Sequence, residues 1–332
     1  MKIKVLKGGP LTTVQDLGRN GYQKYGVLVS GAMDSFSMRL GNILVGNPLG
    51  EGVLEMTMLG PTLALPQGLI FALTGADCSA TIDGKAVPRF RPIYVKRDCQ
   101  MRMGFARQGS RGYFAAAGGF DIPLVMGSKS TYLRAKMGGY QGRPLTDGDE
   151  LTVGRTSEKI VAFRKAMSHN SDSRAFATVS WSAPGGFIFD TATIRVTKGL
   201  QYDWFTDESI KTFFSAGYTI TMEADRMGYR LKGPALSYKE KKELVSEPVT
   251  FGAIQVPADG NPIVLMVDRQ TAGGYAKIGQ VVCADLPRLA QYKPEMELHF
   301  QLVTLAEAEK LYIQQETYLK TLAETINTWL QK

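Results

Sequence analysis

Glycine does most to limit what this chain can fold into. There are 36 among 332 residues, about 11% against a usual share of roughly 7%. Glycine reaches backbone angles closed to other residues, so this frequency implies many tight turns. Between the glycines lie short runs with apolar residues at every second position, among them Met1/Ile3/Val5, Ile93/Val95, Met101/Met103/Phe105 and the segment Glu297 to Leu302. Such alternation marks half-buried strands. In Ser79 to Val87, Asp83-Gly84 stands between two runs, and an Asp-Gly pair suits a two-residue hairpin turn. A mostly β chain is expected.

Helical patterns are few. Asp34-Ser35 can cap a segment carrying Phe36, Leu40, Ile43 and Leu44, stopped by Gly46 and Pro48, and Thr206 precedes a short helix around Ile210 to Phe214. Thr304 with Glu307 forms a capping-box pattern. It leads into Leu305, Leu311, Tyr312, Leu319, Leu322, Ile326, Trp329 and Leu330 at helical spacing, a stripe expected to pack on its own domain.

A chain of this length suits two domains or one large one. The polar, serine-rich stretch holding Ser168, Asn170, Ser171, Asp172 and Ser173 marks the boundary. It divides the chain into a first domain at 1–155, a linker or surface loop at 156–185, a second domain at 186–303 and a terminal helix at 304–332. Two echoes cross it: Arg19-Asn20-Gly21-Tyr22 with Arg226-Met227-Gly228-Tyr229, and Gly60-Pro61-Thr62-Leu63 with Gly233-Pro234-Ala235-Leu236. Their offsets differ, so a duplicated barrel is only suggested.

Composition removes several classes of function. Hydrophobic residues are 44% and charged residues 21%, an ordinary globular balance. No run of 18 apolar residues occurs, and the start MKIKVLKGG alternates lysines with apolar residues; neither a spanning helix nor a secretory signal is expected. Cys78, Cys99 and Cys283 form no C-x-x-C pair, which suits a reducing compartment, so the expected location is cytoplasmic. The formal charge is +8, but its densest cluster, KEKKE at 239–243, interleaves lysines with glutamates. That reads as a solvated face, with no nucleic acid and no membrane as partner; an anionic small substrate remains compatible.

Self-contained catalytic motifs are missing. There is no G-x-x-x-x-G-K-[ST], G-x-S-x-G or S-x-x-K, and His169 and His299 are too far apart in sequence for a local metal pair, so no metal site is expected. Arg134-Ala135-Lys136-Met137 looks like part of a biotin-attachment signature but lacks the methionine before the lysine, so no covalent biotin is expected on this chain.

Polar residues crowd around glycines in three places. Gly9 to Asp34 holds Gln15, Asp16, Arg19, Tyr22, Ser30 and Asp34. Asp16 and Arg19 suit an ion pair as well as ligand contact, and Asp34 suits a helix cap as well as a substrate. Gly118 to Gly148 places Ser128, Lys129, Ser130 and Thr131 beside Gly127, a composition that fits an oxyanion cradle or hydroxyl-mediated turns. Asp225 to Tyr229 is followed by Asp268 to Gly279, DRQTAGGYAKIG, where Arg269, Gln270, Thr271, Tyr275 and Lys277 stand within nine residues. A turn at Gly273-Gly274 would fold Arg269 and Lys277 into a hairpin and carry both cations to one end of a barrel.

GPLTTVQDLGRNGYQKYGVLVSGAMD, GSKSTYLRAKMGGYQGRPLTDGDEL, DRMGYRLKGPAL and DRQTAGGYAKIGQVVCADLPRLAQYKPEMELHF together resemble the biotin-dependent carboxyltransferase family. That family includes the C subunit of 5-oxoprolinase, allophanate hydrolase subunit 2, the equivalent part of urea carboxylase and the antagonist of a sporulation-kinase inhibitor protein. The likeness runs from residue 3 to about 312. It implies two cyclophilin-like β-barrel domains with a C-terminal α-helix, and ATP-dependent opening of 5-oxoproline to L-glutamate. ATP would be the co-substrate, and the A and B subunits of 5-oxoprolinase the partners.

On that resemblance Asp16, Tyr275 and Lys277 are the candidate catalytic residues. Gln15, Arg19, Ser30, Asp34, Arg269, Gln270, Thr271, Gly273 and Gly274 are the candidate substrate-binding residues. The family also admits two other roles: a biotin-dependent carboxyltransferase or allophanate hydrolase-type component, and a binding protein that relieves kinase inhibition by sequestering the B subunit.

Overall fold

The structure, a computed structural model, describes residues 1–168, 173–185, 193–240 and 242–330. His169, Asn170, Ser171, Asp172 and Lys241 lie outside the described residues, as do 186–192 at the expected start of the second domain. The chain forms two compact units, one of Met1–Arg19, Asp34–Phe187 and Thr317–Lys332, the other of Asn20–Met33 and Ile188–Glu316. Met33 explains why an early segment belongs to the later unit, since it is fully buried in that unit's core with Ile194, Tyr229 and Met266.

The first unit contains two six-stranded sheets. Val5, Leu63 and Met101 from one sheet share a core with Leu54, Phe71 and Phe114 from the other. The period-two runs account for this, because one face of each strand is apolar. Asp83-Gly84 makes the expected hairpin: Ile82 pairs with Lys85, and the two turn residues take φ of 50° and 72°. The stretch read as a linker contains a helix, Glu158–Ser168, and a strand, Phe176–Thr178, that joins a sheet beside Pro92–Val95. Ile160 and Phe163 anchor that helix.

The second unit is a closed barrel of seven strands among the described residues. Around it run Thr193–Lys198, Ala276–Val281, Ala253–Val256, Ile263–Leu265, Gly228–Lys232, Tyr218–Ile220 and Glu297–Leu302. Neighbours are antiparallel except at the closure, where Thr193–Lys198 lies parallel to Glu297–Leu302. Asp285 secures that closure. Its fully buried carboxylate accepts from the Arg195 backbone N–H at 2.8 Å and from two nitrogens of the Arg195 guanidinium.

Caps fall where the polar residues predict. Asp34 accepts from Ser37 N–H at 2.8 Å above Ser35–Leu44, and Thr206 accepts from Ser209 N–H at 3.1 Å above Asp207–Ser215. Thr304 and Glu307 satisfy one another's N–H groups at the start of Leu305–Trp329. Along that helix only Leu319 and Ile326 are buried, as is Leu330 just past its end, with Trp329 set edge-on to Phe163 and Trp181. Leu305 and Tyr312, expected on the packed stripe, are exposed. Among the described residues no helix is long and apolar enough to cross a membrane.

Removing the Asp285 carboxylate leaves Arg195 without its partner at the closure. Asp285→Ala is expected to cost about 3 kcal/mol, read as a lowered urea midpoint. An unchanged midpoint would show that the closure is held by the strands alone.

Candidate functional site

In the first unit the first two polar segments meet. The Thr12–Gln15 strand ends beside the 128–131 loop, where Val14 C=O accepts from Thr131 N–H at 3.0 Å. Asp16 accepts from Gly18 N–H at 2.7 Å, Ser128 Oγ at 2.7 Å, Lys129 N–H at 2.6 Å and the Ser130 hydroxyl. Three of these donors meet Oδ1 and one meets Oδ2, so Asp16 ties two loops together. The fully buried Arg19 donates to Ser130 C=O, and Gln15 donates to Thr13 Oγ1 and Thr131 C=O. Asp34 takes the cap role. Its own N–H donates to the Tyr113 hydroxyl, which donates to Glu55, each at 2.8 Å. Burial, with the Glu55 charge next, pushes the Tyr113 phenol well above its usual range.

The second unit gathers the rest. Arg226 and Asp268 form a buried pair at 2.8 Å, and Arg226 also donates to Gly31 C=O at 2.6 Å. This holds Ser30, which has a φ of 56° and a buried hydroxyl without a hydrogen-bond partner among the described residues. Arg269 follows Asp268, and its guanidinium donates to Val249 C=O at 3.3 Å and Met266 C=O at 3.4 Å beside the Phe251 ring. Burial pushes its pKa down to about 10, Asp268 opposing, so it remains a cation at neutral pH.

The turn at Gly273-Gly274 does not fold Arg269 and Lys277 onto each other. Ala272–Gly273 pairs instead with Glu247–Pro248, and Lys277 pairs with Gln255 on the neighbouring barrel strand. The backbone of Gly273 lies close over Gln255, where a Cβ would stand 2.6 Å from Gln255 Nε2 and displace that amide. Both cations still converge, by another route, on the segment Glu247–Val249. Arg269 reaches the Val249 carbonyl, and the buried Lys277 ammonium donates to Glu247. Gln201 completes the group, donating to Glu247 at 2.9 Å while its oxygen accepts from Lys277 N–H at 3.1 Å.

Thr271 joins through its carbonyl, which accepts from Val249 N–H, and the exposed Tyr275 lines a neighbouring groove of about 770 Å³ with Arg230, Lys232 and Asn261. The sequence pattern does not single out Gln201, Glu247 or Gln255. Gln255 is a lone amide in the apolar run Ala253–Val256, which could have marked it, whereas Glu247 stands just beyond a charge cluster that looks solvated.

Residues 25–302 match the family described as carboxyltransferase domain, subdomain A and B. The chain belongs to this family. It is 36% identical to the 5-oxoprolinase C subunit of Escherichia coli, the alignment covering 97% of each chain, and 35% identical to its counterpart in Haemophilus influenzae over 98% of this chain and 99% of the relative. The urea carboxylase of Kluyveromyces lactis has a similar structure, with a TM-score of 0.85 and 29% identity over 97% of this chain and 29% of that one. The mostly β carboxyltransferase fold, its closed barrel and its C-terminal helix agree with the expected fold class.

Lys277 first, then Gln201, holds the Glu247 carboxyl below its ordinary value of 4.5. A depressed carboxylate stabilises the fold above the unfolded value and loses that contribution as pH falls through the folded one. The difference in thermal midpoint between wild type and Glu247→Gln is therefore expected to shrink on acidification below about pH 4.5. A difference that stays constant from neutral pH to pH 3 would show the pair carries no such linkage.

Proposed function

We propose that this chain acts as the C subunit of an ATP-dependent 5-oxoprolinase, opening 5-oxoproline to L-glutamate together with the A and B subunits. The supporting observation is reciprocal coverage. The chain and its E. coli relative cover 97% of each other, whereas the matched urea carboxylase is more than three times longer than the region they share.

The chemistry asks for the groups this barrel supplies. An unstrained five-membered lactam resists water, so its oxygen is first phosphorylated by ATP. Water then adds to the activated carbon, the C–N bond opens with the nitrogen taking a proton, and the acyl phosphate so formed is hydrolysed. Charge builds on oxygen throughout, and fixed cations in a partly dry site stabilise it without reorganising. In this reading Arg269 holds the substrate carboxylate through its planar fork, Lys277 faces the developing charge, and Tyr275 at the groove moves a proton. Gln270 and Thr271 bind the ring, and the bare backbone of Gly273 and Gly274 lets it approach. Gln15, Asp16, Arg19 and Asp34 hold the loops of the first unit, and Ser30 offers its hydroxyl to the substrate. The chain carries no covalent biotin and works in the cytoplasm as part of a hetero-oligomer.

A second reading, carboxyl transfer to a urea-like acceptor, is favoured by the likeness to the K. lactis urea carboxylase. It requires a biotin carrier supplied by another chain. Inhibition of the reconstituted activity by avidin would support it, and insensitivity would remove it.

Lysine in place of Arg269 keeps the charge and loses the fork. In the complex reconstituted with the A and B subunits, Arg269→Lys is expected to lose most glutamate formation, while the thermal midpoint of the chain shifts by no more than a few degrees. Near-normal turnover would place substrate binding elsewhere.

A further inference from the structure

Gln255 is 2% exposed and sits at the cross-strand position opposite Lys277, so both side chains share one face of the barrel. Its amide has only long contacts: Oε1 accepts from Gln270 Nε2 at 3.5 Å, and Nε2 donates to Tyr275 C=O at 3.4 Å. Burial of an amide without partners is costly, so these two contacts fix its plane. Gly273 lies against both amides, where a Cβ would stand 2.6 Å from Gln255 Nε2 and 3.2 Å from Gln270 Nε2 and press on their contact.

Gln270 is half-buried and spends one N–H on Gln255. Its second N–H and its carbonyl oxygen form no hydrogen bond among the described residues. An N–H and the carbonyl oxygen are thus left to a ligand, and with Gln255 taking the N–H that points away from that oxygen they make one donor and one acceptor on a single edge. A small-ring lactam is locked as a cis amide, with its own N–H and C=O on one edge. Such an edge pairs with a carboxamide through two parallel hydrogen bonds.

We propose that Gln270 reads the lactam edge of the substrate and that Gln255 is the positioning residue that fixes its plane. The proposal rests on the 5-oxoprolinase reading and adds the basis of its selectivity. A site built to pair with an N–H discriminates against an analogue that lacks it, because a buried group is then left unpaired. The lactone with oxygen in place of the ring nitrogen keeps the carbonyl and the carboxylate and loses only that N–H.

The test uses the complex reconstituted with the A and B subunits, measuring KM and kcat for 5-oxoproline, KM for ATP, and the inhibition constant of the lactone. Gln270→Leu and Gln255→Met are each expected to raise KM for 5-oxoproline about tenfold, with kcat and KM for ATP within about twofold. The lactone, which can lose only its carbonyl contact, is expected to weaken by less than the lactam, so the preference for lactam over lactone narrows. Gln270 is partly exposed, so its variant keeps the test valid if Gln255→Met fails to fold. An active wild type whose variants keep their preference, or weaken lactam and lactone equally, overturns this proposal alone. A wild-type complex that forms no glutamate overturns the underlying reading, and this proposal with it.

Discussion

A buried ammonium group governs the second unit. Lys277 is almost wholly enclosed, and an unpaired charge there would cost several kcal/mol, so it needs a counter-ion and further hydrogen bonds. Glu247 provides the charge and Gln201 holds Glu247 in place. Those residues come from different parts of the chain, so satisfying one lysine draws the Glu247–Pro248 strand and the loop at Gln201 onto the Ala276–Val281 strand. Arg269 and Gln270 are carried to the same place, because the ribbon of Ala272–Gly273 is paired to Glu247–Pro248.

The first unit uses a related device with the opposite sign. There a carboxylate, Asp16, is the enclosed charge, and hydroxyls and backbone N–H groups from the 128–130 loop surround it. The echoed sequence pairs take on parallel duties. Arg19 and Arg226 are both buried and both donate to a backbone carbonyl, of Ser130 and of Gly31. Gly60 and Gly233 both mark close approaches, where a Cβ would lie 2.5 Å from Met103 Cβ and 2.6 Å from the Tyr218 ring. Similar local words thus solve similar packing problems in two units whose strands are ordered differently.

Local features were legible and convergent ones were not. The Asp83-Gly84 turn, the caps at Asp34, Thr206 and Thr304, and the alternating strands depend on neighbours in sequence, so a short window contains all their physics. Arg269 and Lys277 could be singled out by type, but the partner of Lys277 lies 30 residues away and no local rule points to it. The hairpin expected at Gly273-Gly274 followed from turn chemistry, which competed with a stronger demand: Ala272–Gly273 pairs with Glu247–Pro248, and Lys277 needs Glu247. The terminal stripe misled in another way. Helical periodicity reports an apolar face, but of that stripe only Leu319, Ile326 and Leu330 become buried.

The Lys277–Glu247 pair organises the barrel end, and under the proposed function it also belongs to the working site. A double-mutant cycle on Lys277→Met and Glu247→Gln, read in parallel as urea stability and as glutamate formation by the reconstituted complex, measures both. Each single change is expected to destabilise the chain, and the double change to cost little more than either, with a coupling of about 1–3 kcal/mol. All three variants are expected to lose turnover. Additive stability costs together with retained turnover in Lys277→Met would contradict both roles.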